Sequence, residues 1–133
     1  MRFATDILRQ HDLLASITEE PGRITRTYLT PQHREAGELI AGWMREAGMD
    51  AHFDALGNVV GRYAAADPEA PVLLTGSHMD SVVNAGRYDG VFGILSPIAC
   101  VRDLHKRGRR LPCTLEIVAF GDEEGVRFGV SMI

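Results

Sequence analysis

Apolar positions fall into two periods along this chain. Ala36, Leu39, Ile40, Trp43, Met44 and Ala47 recur as the i, i+3, i+4, i+7 stripe of an amphipathic helix. Thr30 is placed as its N-cap, Pro31 as its first helical residue and Gly48 as its stop. A first helix is predicted from a cap at Thr5 to about Ser16, with Ile7, Leu8 and Leu14 on its apolar side and His11 at the surface or boundary. His33, in the first turn of the second helix, is expected to face solvent. So is the polar connection over residues 24–29, which carries Arg26 and Tyr28.

The second period is that of strands. Residues 51–54 and 59–63 read as two short strands around a turn at 55–58 that contains Gly57 and Asn58. The run Val72-Leu73-Leu74 reads as a buried strand, and Leu115, Ile117 and Ala119 alternate with their neighbours in a further one. Between them, residues 91–101 are apolar almost all round, which predicts a buried helix with a kink or late start at Pro97. Strands alternating with helices give an α/β fold: a three-layer sandwich with a mostly parallel mixed sheet flanked by helices.

The polar residues that interrupt this pattern gather just past strand ends. Thr75-Gly76-Ser77-His78-Met79-Asp80-Ser81 follows one apolar run, with Gly86-Arg87-Tyr88-Asp89-Gly90 beyond it, and Gly121-Asp122-Glu123-Glu124-Gly125 follows another. Ligands of open α/β sheets bind at the carboxyl ends of the strands. The two-residue spacing of His78 and Asp80 lets a carboxylate support one imidazole nitrogen while the other faces a metal. Asp89 adds a hard oxygen donor, and the adjacent Glu123 and Glu124 are free to divide metal binding and proton transfer between them. Mixed imidazole and carboxylate donors suit zinc, or manganese as the harder alternative. Such a set is machinery for metal-assisted hydrolysis. Asn84 and Arg87 are within reach of a substrate carboxylate by position, with loop hydrogen bonding the simpler expectation.

Charge narrows the classes. At 133 residues with a net charge of −4, the chain has the size of one domain and no basic footprint for nucleic acid. No apolar run approaches the roughly 20 residues that span a bilayer. Two cysteines, Cys100 and Cys113, in helical and pre-strand contexts, fit reduced thiols and a cytoplasmic setting. The basic group at residues 106–110 is read as solvated charge at a helix C-terminus rather than a phosphate site.

The segments at residues 76–81, 86–90 and 119–129 resemble the allantoate amidohydrolase and N-carbamoyl-L-amino-acid hydrolase family, a branch of the dinuclear-metal aminoacylase and carboxypeptidase clan. Similarity extends over residues 54–58 and the helix bearing Trp43 and Met44. The resemblance implies two divalent ions, zinc or manganese: His78 on one, Asp89 bridging both and Glu124 on the other. It implies Glu123 as general base, Asp80 as the residue that orients His78, and hydrolysis of a non-peptide carbon–nitrogen bond in a small ureido acid. Allantoate is the first expectation and an N-carbamoyl-L-amino acid the second.

Members of that family are longer, with two further histidine ligands and an inserted dimerisation domain. Residues 1–133 are therefore expected to be the N-terminal part of the metal-dependent catalytic domain of a homodimer, weakly active by itself. A non-catalytic truncated module is the alternative from a different class.

Overall fold

A computed structural model describes residues 2–132; Met1 and Ile133, at which the expectations about the chain's start and stop fall, lie outside the described residues. Helix α1 spans Arg2–Ser16 and α2 spans Pro31–Glu46, followed by the strands β1 (Asp50–Phe53), β2 (Val59–Tyr63) and β3 (Val72–His78), helix α3 (Val91–Lys106) and β4 (Thr114–Phe120). The strands form one mixed sheet in the order β1-β2-β4-β3. β1 with β2 and β2 with β4 are antiparallel, and β3 with β4 is parallel. The α/β class is as expected, although one pairing of the three is parallel.

Local chemistry explains the well-predicted elements. Thr30 Oγ1 accepts the His33 N–H at 3.2 Å and Pro31 opens α2. The Asp54 carboxylate accepts the N–H groups of Leu56 and Asn58 at 2.9 and 3.0 Å, and Gly57 takes φ +84°, which closes the β1–β2 hairpin. Thr5 lies inside α1 and does not cap it. α3 runs unbroken from Val91 through Pro97.

The helices share one face of the sheet. Val59, Ala119 and Ser77 are cross-strand partners in a row. Gly37 of α2 abuts Val59 at one end of that row, and Gly93 of α3 abuts Ser77 at the other. Ile40, Met44, Ile94, Leu95, Ile98 and Ile117 pack between these layers as the core, with α1 laid against α3. Of the expected three-layer sandwich, the described residues supply the sheet and the helical layer on this face.

Two burial expectations are corrected by this arrangement. Val72, Leu73 and Leu74 are 49%, 55% and 58% exposed rather than buried, because β3 is the edge strand and pairs with β4 alone. α3 is buried along Val91, Ile94, Leu95, Ile98 and Val101 but leaves Phe92 and Cys100 exposed. Cys100 and Cys113 are free thiols. Among the described residues, no helix is long and apolar enough to cross a membrane.

Candidate functional site

Parallel pairing of β3 with β4 sets His78 opposite Phe120, so both chains leave the sheet at the same level. The chain then dives inward. Met79 and Asp80 are buried although the strand that delivers them is exposed. The anchor for this descent is Arg26. Its guanidinium donates from Nε to the Met79 carbonyl at 2.8 Å, and from a terminal nitrogen to the Leu14 and Ile17 carbonyls at 2.9 and 3.1 Å. The main chain of Arg26 also pairs with Ser81, donating its N–H to Ser81 Oγ at 2.9 Å and accepting the Ser81 N–H at 3.0 Å. Burial pushes this guanidinium down to about 10, opposed by the nearby Asp80 charge. The expectation of a solvated loop at Arg26 is thus corrected: three carbonyls take the donors that water would otherwise satisfy.

Asp80 works in two directions. Its Oδ1 accepts the backbone N–H of Glu123 at 3.2 Å and its Oδ2 that of Glu124 at 3.1 Å. Its carbonyl lies 3.1 Å, and its Oδ1 3.5 Å, from Nδ1 of His78. The hydrogen bond to the Asp80 side chain outweighs burial and carries the His78 imidazole up to about 9. With Nδ1 engaged, Nε2 faces outward, 3.8 Å from Asp89 Oδ1 and 3.9 Å from Glu123 Oε2.

Asp89 arrives through a turn that only glycine can finish. Gly90 has φ +67°, and a Cβ there would stand 2.5 Å from the His78 carbonyl and 2.6 Å from its ring. Donor atoms of His78, Asp89 and Glu124 lie within 4.8 Å of one another. Burial raises the Glu124 carboxyl above its ordinary value, with the His78 charge pulling the other way. One imidazole from the end of β3 and two hard oxygens, from the turn before α3 and from just past β4, form a donor set that fits a divalent cation. Glu123 stands beside them, half exposed.

Asp122 turns away from this group. It is 1% exposed, and its Oδ2 accepts the Met132 N–H at 3.2 Å. Arg87 pairs with Asp12 at 2.5 Å on the surface. His11 is buried against the edge of Tyr88, not at the surface, because Ile7 and Leu14 place it on the packed side of α1. His33 is likewise buried and not solvent-facing, with Nε2 2.9 Å from the Gly121 carbonyl. Its signal was present in the sequence: His33 precedes Ala36, Gly37 and Ile40 by three, four and seven residues and so shares their stripe.

A mixed sheet with helices on one face carries an imidazole–carboxylate cluster past its strand ends, which makes this an α/β protein with a candidate metal site. The chain belongs to peptidase family M28, whose model matches residues 58–131. It is 43% identical over 122 residues to allantoate deiminase 1 of Glycine max, covering 90% of this chain and 25% of that protein. It is 42% identical over 121 residues to an N-carbamoyl-L-amino acid amidohydrolase of Geobacillus stearothermophilus, covering 90% and 30%. A hydantoinase/carbamoylase family amidase of Burkholderia ambifaria superimposes with a TM-score of 0.89 at 39% identity, over 96% of this chain and 32% of that one. The resemblance read from residues 76–81, 86–90 and 119–129 is the one these relatives carry. The chain spans roughly a quarter to a third of the length of the proteins it matches.

Proposed function

We propose that this chain forms part of the catalytic domain of a metal-dependent amidohydrolase acting on a small ureido acid. The observation that carries this reading is the convergence of His78, Asp89 and Glu124, three donors within 4.8 Å, beside the half-exposed carboxylate of Glu123, whose Oε2 lies 3.9 Å from His78 Nε2. His78 Nε2, the Asp89 carboxylate and the Glu124 carboxylate would hold the divalent ions, zinc or manganese. When bound, the ions supply Lewis acidity, polarising the ureido carbonyl and lowering the pKa of an attacking water.

The chain's own groups do the rest. Asp80, engaged with His78 Nδ1, keeps Nε2 aimed at the cluster. Glu123 Oε2 takes the proton of the attacking water and delivers it to the leaving nitrogen. One water and R–NH–CO–NH2 thereby give R–NH2, ammonia and carbon dioxide. Allantoate is the substrate we favour, and an N-carbamoyl-L-amino acid the second reading; relatives bearing each name are about equally similar. The shared span, a quarter to a third of those relatives, supports a site completed by groups beyond this chain and a non-catalytic module as the competing account.

Elemental analysis of the purified protein, followed by an ammonia-release assay with each substrate, tests the proposal. Two equivalents of zinc or manganese with ammonia from one substrate are expected. Absence of stoichiometric metal together with no ammonia from either substrate would remove the catalytic reading.

A further inference from the structure

Glu123 and Glu124 extend from a turn whose main chain is gripped just upstream by two buried side chains. The Gly121 N–H donates to Asn58 Oδ1 at 2.8 Å, and the Gly121 carbonyl accepts from His33 Nε2 at 2.9 Å. A carbonyl only accepts, so Nε2 carries the proton in this pairing. Burial lowers the imidazole's pKa, with the bond to Gly121 opposing it. Each grip is itself fixed. Asn58 Nδ2 donates to Asp54 Oδ2 at 2.9 Å, and His33 is held by the Thr30 cap and by the edge-on ring of Tyr28 at 5.4 Å. Contact is close enough that a Cβ on Gly121 would meet Tyr28 at 3.0 Å and His33 at 3.3 Å.

The next fixed points are the Glu123 and Glu124 N–H groups, held by Asp80. Only Asp122 lies between, and its carbonyl accepts Ser131 Oγ at 2.6 Å. Asp80 holds the turn downstream and the Met79 N–H holds the Phe120 carbonyl at 2.8 Å upstream; the two bonds at Gly121 fix the peptide units between these points.

We propose that His33 and Asn58 are positioning residues for the acid turn, fixing the approach of Glu123 and Glu124 to His78 through the main-chain atoms of Gly121. They touch neither substrate nor reacting atoms. The inference rests on the proposed metal site for its consequence in affinity, but not for its geometry.

The test compares His33→Leu, which removes the donor, with His33→Gln, whose Nε2 amide restores a donor at similar reach. Met44→Ala serves as a control that weakens the core under α2 far from the turn. Two readouts are taken on the whole protein: calorimetric affinity for Mn2+ or Zn2+ alone, and hydrogen exchange of the Glu123 and Glu124 amides without metal. In His33→Leu, affinity is expected to fall about tenfold and both amides to exchange faster. His33→Gln recovers most of both, Asn58→Leu repeats the loss, and Met44→Ala lowers stability without changing either readout. A His33→Leu protein that loses stability yet keeps wild-type amide exchange overturns the proposal. Should the wild-type protein take up neither cation, the functional reading falls, and the amide exchange still decides this inference.

Discussion

The Asp80 carboxylate, buried past the end of β3, accepts the backbone N–H of Glu124, past the end of β4, at 3.1 Å. A residue delivered by one strand therefore fixes the course of the chain leaving its neighbour. Removing it in Asp80→Ala leaves two N–H groups unpaired and the buried Arg26 without its nearby opposite charge. The expected loss is about 3 kcal/mol in urea unfolding. Asp80→Asn, which keeps one acceptor oxygen, is expected to lose less.

The same carboxylate sets a pH dependence. Its hydrogen bond is the largest influence raising the His78 imidazole from 6.5 to about 9. A folded value above the unfolded one stabilises the metal-free protein fully below pH 6.5, and that contribution is lost as pH rises through about 9. Metal needs the neutral nitrogen, so proton and cation compete for it. Cation affinity is expected to climb between neutral pH and 9, with proton release at pH 7.5 seen by calorimetry in buffers of different ionisation enthalpy. Asp80→Asn should bring the His78 ring titration, followed by NMR, back toward 6.5.

Glu123 and Glu124 are neighbours with different proposed tasks, and conservative amides separate them. Glu124→Gln is expected to weaken divalent-cation affinity roughly a hundredfold. Glu123→Gln should retain affinity while kcat falls by about two to four orders of magnitude. Equal metal loss in both variants would refute the division of labour.

Gly90 links the motif to its backbone. Gly90→Ala forces a side chain into a left-handed conformation and drives its Cβ against His78. A loss of about 2 kcal/mol in thermal unfolding is expected, together with weaker cation binding, because the displaced ring is a proposed donor.

How far the sequence carried this picture depends on what each residue's pattern could encode. The α2 stripe, the Thr30 cap and the Asp54–Asn58 turn are local chemistry, and they stand where the sequence put them. Burial of β3 was not local: Val72, Leu73 and Leu74 look like core, but the sheet order leaves them at an edge. Arg26 and His33 belong to residue types that are usually exposed, so the sequence around them points to solvent. Their burial is satisfied by carbonyls 53 and 88 positions away, Met79 and Gly121, which no local window shows. The cluster of His78, Asp89 and Glu124 was legible as candidates, since polar groups past apolar runs stand out. The frame that holds them was hidden in main-chain bonds.

That frame is made almost wholly of contacts to backbone. His33 and Asn58 hold atoms of Gly121, and Asp80 holds the amides of residues 123 and 124, so none of them reads the identity of the side chains beyond. Location and chemistry are thereby inherited separately. Mutation can exchange the carboxylate at 123 or 124 for another group and explore a new reaction while the mount beneath it stays where it was, which makes this turn a natural place for divergence or for redesign.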